Sequence, residues 1–351
     1  MLLERARTVA VALRGLVAVS LLMTGVPPGL AQAALPRLTV LTAGDAADDE
    51  FVQQLRTLQE PGGEFQVVRL RDAGSNSGAS AVTLAPDNED GQEAANAGVR
   101  TRGRPALAPI RAATASGDAM TVAVGPEAAR SAVERESAEP LLLAMLSQLE
   151  YEQLKSSPDL HRSGRRVGVL LRDPPFATQL TLIAAALPQG RRLGVLAAAQ
   201  SRPLVQALEQ AAGTAWTLNV AVAVDVRAIG PALRDVLPAS DALLLLPDAI
   251  GDDAAATAAV LRAAAGAGVP VFGASDAMVR SGALATAICA PAQMALQAQA
   301  LGRRLAAGPD DTMLVEAARP SAVSVNGNVA RSLGLRLPSN DELTRRVTAA
   351  Q

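Results

Sequence analysis

Residues 241–275 read DALLLLPDAIGDDAAATAAVLRAAAGAGVPVFGAS, and this stretch decides the fold. Residues 243–246 are a continuous apolar run bounded by Asp241 and by Pro247-Asp248, the pattern of a short strand buried on both faces. Asp252 or Asp253 stands where a helix N-cap belongs. The Ala-rich body that follows carries Val260 and Leu261 as its larger apolar residues, and Gly266 and Gly268 end it. Val269, Val271 and Phe272 then supply a second short apolar strand. Strand, crossover helix and parallel strand make a right-handed βαβ unit. Open parallel sheets bind ligands beyond the carboxyl ends of their strands, here Pro247-Asp248 and Gly273-Ala274-Ser275.

The alternation extends in both directions. Upstream, strands are expected at 167–171, 193–196 and 216–224, with helices at 176–187, 203–212 and 229–237. The first of these strands ends in Arg172-Asp173-Pro174-Pro175. Nearer the N-terminus, strands are expected at 38–41, 65–70, 120–124 and 141–146, with helices at 48–59 and from Pro126 through 135. Ser147-Gln148 ends the last of these strands, and a short helix follows at 150–155. Downstream come an apolar run at 283–288, a helix at 293–307, a strand at 322–325, and helices at 328–333 and 341–347, the last capped by Asn340. Regular strand–helix alternation predicts an α/β fold of doubly wound parallel sheets. Residues 71–117, rich in Gly, Ser, Asn, Asp, Pro and Ala, read as a flexible insertion. The polar segment 156–166 reads as a domain crossover.

Residues 1–33 have the layout of a cleavable export signal: Arg5, Arg7 and Arg14, a short apolar core, then Ala31-Gln32-Ala33. Arg14 leaves the apolar core below the ~20 residues needed to span a bilayer. The expectation is an exported, soluble, periplasmic protein.

Scarce residues narrow the chemistry. His161 is the only histidine, Cys289 the only cysteine and Lys155 the only lysine. A zinc site built from His and Cys needs about four such ligands, and an intramolecular disulfide needs a second thiol. Lys155 follows Leu154, so no phosphate loop exists, and no GxGxxG follows a strand. His161 sits in a polar connection and reads as a surface residue. Cys289 reads as a buried small hydrophobe. With a formal net charge of −2, nothing points to nucleic acid. No cofactor and no enzymatic activity are expected; carboxylate-based hydrolysis ranks last, because no paired acidic motif stands out.

Specific runs carry a resemblance. VGVLLRDPPFATQLTLIAAALPQGRRLGVL (167–196) has a strand ending in Asp-x-Pro, a Gln-Leu-x-Leu-Ile helix, and a Leu-Pro leading into Gly-Val-Leu. LLLPD (244–248), VPVFGAS (269–275), SGALATA (281–287) and VSVNGNVARSLGLRLP (323–338) follow in order. Together they resemble the ABC-transporter substrate-binding protein family, in a divergent proteobacterial branch related to aromatic amino-acid binders. The resemblance covers roughly residues 165–343. It implies the type I periplasmic-binding-protein fold: two lobes, a hinge, and a ligand in the cleft. Lobe 1 is then expected at 34–160, completed by about 276–308, with residues 283–307 adding a strand and a helix. Lobe 2 is expected at 161–275, completed by about 309–351.

The cleft is expected to be lined by loops at strand ends, giving as candidates Gly44, Asp45, Gly125, Ser147, Asp173, Phe176, Asp248 and Ser275. A helix N-terminus such as the one after Gly125 suits a carboxylate, and Asp173 or Asp248 suits an amine. Aspartates after strands also serve as caps and turn braces, so both roles stay open for these two. Of six aromatic residues, only Phe176 is placed to line a cleft. The expected partners are a small polar or zwitterionic molecule and an ABC permease or another membrane receptor, with the protein a monomer. The alternative is the same fold with a degenerate cleft, acting as a sensor or interaction subunit.

Overall fold

The computed structural model describes residues 37–44, 46–59, 63–70 and 119–350. The expected export signal, the expected insertion at 71–117 and Asp45 lie outside the described residues. In chain order the first elements are β1 (Arg37–Thr42), α1 (Ala46–Thr57), β2 (Phe65–Arg69), β3 (Ala119–Val124), α2 (Pro126–Glu134), β4 (Leu141–Leu146), α3 (Gln148–Lys155) and β5 (Val167–Leu171). Then come α4 (Phe176–Ala186), β6 (Arg192–Ala198), α5 (Arg202–Ala212), β7 (Thr217–Ala223), α6 (Val226–Val236), β8 (Ala242–Leu245), α7 (Ala254–Ala267), β9 (Val271–Phe272), α8 (Asp276–Ser281) and β10 (Ala285–Ile288). The chain closes with α9 (Pro291–Ala307), β11 (Met313–Ala317), β12 (Ala322–Val325), α10 (Gly327–Ser332) and α11 (Asn340–Ala349).

The strands form two sheets of six, ordered β2-β1-β3-β4-β5-β11 and β7-β6-β8-β9-β10-β12. The order repeats: each sheet starts at its second strand, reverses direction next to its first, and runs outward through four more. All pairs are parallel except the antiparallel β10–β12. This is the doubly wound, two-lobed type I periplasmic-binding-protein architecture. Helices cover both faces of each sheet, so the central strands are apolar throughout. The residues of β4, β5 and β8 are all buried.

In lobe 1, α1 and α9 pack on one face through Phe51, Leu55, Ala298 and Leu301, while α2 and Tyr151 cover the other. In lobe 2, α4, α5 and α11 pack on one face through Leu182, Leu204 and Leu343. The opposite face is covered by α6, α7 and α8. Each lobe therefore takes one helix from the far side of a crossing: α4 follows the lobe 1 strand β5, and α9 follows the lobe 2 strand β10.

These crossings correct the expected boundaries. The segment 156–166 is not a domain crossover, because β5 pairs with β4 along its whole length and stays in lobe 1. The chain leaves lobe 1 only at Arg172–Phe176. Of the strand and helix expected to complete lobe 1, only α9 does so. β10 lies between β9 and β12 in lobe 2. The segment 309–351 is likewise split: β11, which no sequence pattern announced, adds to lobe 1 beside β5, whereas β12 and α11 belong to lobe 2.

Three strands of chain thus join the lobes, at 172–175, 289–290 and 318–321. Two of them are tied together, since Ser321 N donates to Ile288 O at 2.8 Å and Ala290 N donates to Ser321 Oγ at 3.2 Å. Gln297 of α9 braces the third-crossing chain by accepting from Arg319 N at 2.8 Å.

The caps follow local chemistry. Asp253, not Asp252, caps α7, accepting from Ala256 N at 2.6 Å, and Gly268 ends it in the left-handed region. Gly266 lies inside the helix. Ser339, not Asn340, caps α11. Among the described residues no helix is long and apolar enough to cross a membrane.

Candidate functional site

The carboxyl ends of both sheets face each other across the crossings. A small cavity there is lined from lobe 1 and the first crossing by Gln148, Asp173 and Pro174. Helix α4 adds Phe176 and Gln179, and the ends of β8 and β9 add Leu244, Pro247, Gly273 and Ala274. Its volume is about 20 Å³, room for about one water, whereas small-molecule sites occupy some 300–1,000 Å³. The lobes already touch: Leu149 of α3 packs against the lobe 2 core. At that size the cavity would admit a small solute only if the lobes parted about the three crossings.

A larger groove of about 240 Å³ lies between α2 and α3, lined by Pro126, Arg130, Glu134, Glu150 and Gln153. It belongs to lobe 1 alone, and none of its residues has a buried polar side-chain atom without a partner among the described residues. Lobe closure cannot enclose a ligand in it. The interlobe cavity is the candidate site.

The eight sequence candidates divide. Asp173 and Phe176 line the cavity, and Ser275 directly follows its wall residue Ala274. Gly44 and Gly125 are turn residues with φ +97° and +85°. A Cβ on Gly125 would run into the Asp48 carboxylate, so the turn after β3 needs glycine. Ser147 forms a capping box on α3: its Oγ accepts from Glu150 N at 3.2 Å while Glu150 Oε2 accepts from Ser147 N at 2.6 Å. Ser275 caps α8, its Oγ accepting from Met278 N at 3.3 Å.

Asp248 is 1% exposed, and its carboxylate is taken up internally. Oδ2 accepts from Ala198 N at 2.8 Å and from Ser201 Oγ at 2.6 Å. Oδ1 accepts from Ile250 N at 3.0 Å and Gly251 N at 3.2 Å. Asp248 ties the end of β8 to the end of β6, where the strand order of lobe 2 reverses. Here the bracing role read from the sequence is the one the hydrogen bonds display.

Asp173 has a different setting. Its Oδ2 accepts from Gln148 N at 2.8 Å. Burial pushes its pKa up to about 6. The Gln148 N–H bond and Arg172 oppose that rise, while Glu150 and Asp252 add to it. Arg172 stands 3.6 Å from Glu150 and donates to Met145 O at 3.3 Å. Burial also raises the pKa of Asp252, on lobe 2, with Arg172 acting against it and Asp248 and Glu150 adding to it. Arg172 thus pairs with Glu150 and acts at longer range on Asp173 and Asp252, one carboxylate from each lobe.

Helix α4 begins at the cavity after Pro175, three residues beyond Asp173, with no side-chain cap, leaving first-turn N–H groups and a partial positive charge there. Burial, then Asp173, pushes the Cys289 thiol up to about 12, which leaves it unreactive.

Gln148, Gly273 and Ala274 lie in the strand-end loops expected to line the cleft, though they were not among the eight candidates, whereas Gln179 was missed from the sequence. Gln179 left a signal: it lies one helical turn after Phe176 in the otherwise apolar run FATQLTLIAAA.

No family model matches the chain, and no curated protein matches it by sequence. Solved structures do match. A ligand-free, open substrate binding protein with adhesive properties from Clostridium difficile aligns with a TM-score of 0.59 at 15% identity, covering 87% of this chain and 97% of that one. A conserved domain protein from Vibrio cholerae aligns at 0.53 and 19% identity, covering 89% and 98%. An ABC domain from Streptococcus pneumoniae in complex with L-Trp aligns at 0.51 and 15% identity, covering 89% and 98%. At these identities the likeness is one of fold.

Proposed function

We propose that this protein is an exported solute-binding protein that captures a small polar or zwitterionic molecule between its lobes for an ABC importer. One observation carries the reading: a cavity at the carboxyl ends of both sheets is lined by Asp173 and by the first residues of α4, whose N-terminus has no side-chain cap. An amine suits the first and a carboxylate the second. The L-Trp held by the pneumococcal domain supports an amino-acid-like ligand. Phe176 is the single aromatic residue in the lining, which favours a less extensively aromatic ligand here.

A thermal-shift screen of the chain against amino acids, small carboxylates and nucleosides tests the reading. Ligand at a hundredfold excess over its Kd stabilises the native state by about 2.7 kcal/mol, so one chemical class should raise the melting temperature. Silence across the panel from a cooperatively folded sample would reject it. That outcome would favour a second reading, an interaction subunit with an unused cleft. The exposed Val220, Val222, Val224 and Val226, on and just after the edge strand β7, speak for that alternative.

A further inference from the structure

Resting on that reading, we infer that Gln179 is a ligand-recognition residue, and that its side-chain oxygen joins Asp173 in receiving a nitrogen head with several N–H donors, an ammonium or a guanidinium. Gln179 is 4% exposed and lines the interlobe cavity. Its Oε1 has no hydrogen-bond partner among the described residues. A buried amide oxygen left unpaired costs about 1–3 kcal/mol, and folded chains satisfy nearly all such groups.

Nothing in the local packing of α4 requires an amide at this position. The neighbouring residues Leu180, Leu182 and Ile183 are apolar and fill the lobe 2 core. An apolar residue of the same length would fit the same helix face without the cost. A buried polar group kept unsatisfied at the wall of a cleft marks a contact that only the bound state completes.

The chemistry of the missing partner follows from the two acceptors on the walls. Asp173 is an acceptor when ionised, already engaged at Oδ2 by the Gln148 N–H. Gln179 Oε1 is a second acceptor, carried on the other lobe's helix. A hydroxyl has one proton and cannot serve both, whereas an ammonium or a guanidinium has enough donors for each. The contact also couples recognition to closure, because Asp173 belongs to the lobe 1 crossing and Gln179 packs with lobe 2.

The test uses the full chain and Gln179→Met, which keeps side-chain length and removes the amide. The probes are the standard amino acids, putrescine and agmatine, each set against its counterpart lacking the nitrogen head. Wild type should bind a nitrogen-bearing probe and not its counterpart. Gln179→Met should melt at or above wild type without ligand, and should lose about tenfold or more in affinity. A ligand-free melting temperature several degrees below wild type would show that the fold itself satisfies Gln179, and would overturn the inference. Unchanged affinity in Gln179→Met would leave the cleft reading standing and remove Gln179 from it. Failure of every probe to bind wild type would reject the binding-protein reading and this inference with it.

Discussion

Replacing Asp248 separates a bracing carboxylate from a ligand-binding one. Asp248→Ala strands three backbone N–H groups, of Ala198, Ile250 and Gly251, and the Ser201 hydroxyl. Each buried donor left unpaired costs about 1–3 kcal/mol. The Ser201 hydroxyl can rotate away, and water can reach part of the loop. The expected loss is therefore about 3–5 kcal/mol, at the upper end for a single substitution. Asp248→Asn keeps Oδ1 for Ile250 and Gly251 but turns an NH2 toward Ala198 N–H, for an expected loss of about 2 kcal/mol. Both should be read by urea unfolding with Trp216 fluorescence, because the single tryptophan packs against the lobe 2 core that Asp248 holds together. With a slope of about 2 kcal/mol/M, the Asp248→Ala midpoint should fall by about 2 M at unchanged slope. A midpoint within about 0.5 M of wild type, or an Asn variant weaker than the Ala variant, would refute the argument. A stable Asp248→Ala protein that had lost ligand binding would return Asp248 to the site.

Three further outcomes are expected. Because the folded chain holds the Asp173 proton up to about pH 6 and the unfolded chain releases it near 4, this residue favours folding most below about pH 4. That contribution declines as pH rises through 6. Asp173→Asn should therefore melt above wild type at pH 7.5 and close to it at pH 4, and a pH-independent difference would contradict this; the affinity of wild type for an amine should fall as pH drops below about 6. Gly125→Ala forces a side chain into a φ of +85° and ψ of 167° against Asp48, a region nearly reserved to glycine. It should destabilise lobe 1 by about 2–3 kcal/mol, seen by far-UV circular dichroism while the Trp216 transition of lobe 2 stays in place. Arg165, 5% exposed, donates to Ala132 O at 2.8 Å and Val133 O at 3.0 Å at the end of α2. Arg165→Ala should cost about 2–3 kcal/mol in the same circular dichroism assay, with Arg165→Lys losing less.

Local pattern was enough for the elements and the fold class. Runs such as residues 141–146 and 243–246 are apolar without alternation, which only strands covered on both faces require. Pro126 opens α2 as the sequence alone places it, and local contacts narrowed the α7 ends to Asp252 or Asp253 and to Gly266 or Gly268, of which the structure uses Asp253 and Gly268. Which lobe owns a strand is another kind of fact. β5 pairs with β4 and β11, and nothing within five residues distinguishes that pairing from one with β6. β11 itself is a half-exposed edge strand following Pro309-Asp310-Asp311, too short and too mixed to announce itself. The site divides the same way. Asp173 and Phe176 were legible because a strand end followed by Pro-Pro must open onto the sheet's carboxyl edge. The fate of Asp248 was not, since its donors Ala198 and Ser201 lie some fifty residues earlier and meet it only where the strand order reverses. Gln179 was legible as an oddity in an apolar helix, but only packing decides whether a buried amide has a partner. The chain alone determines what forms within a turn or a strand; the meeting of distant segments, set by the three crossings, decides which of its polar groups find their partners within the fold and which do not.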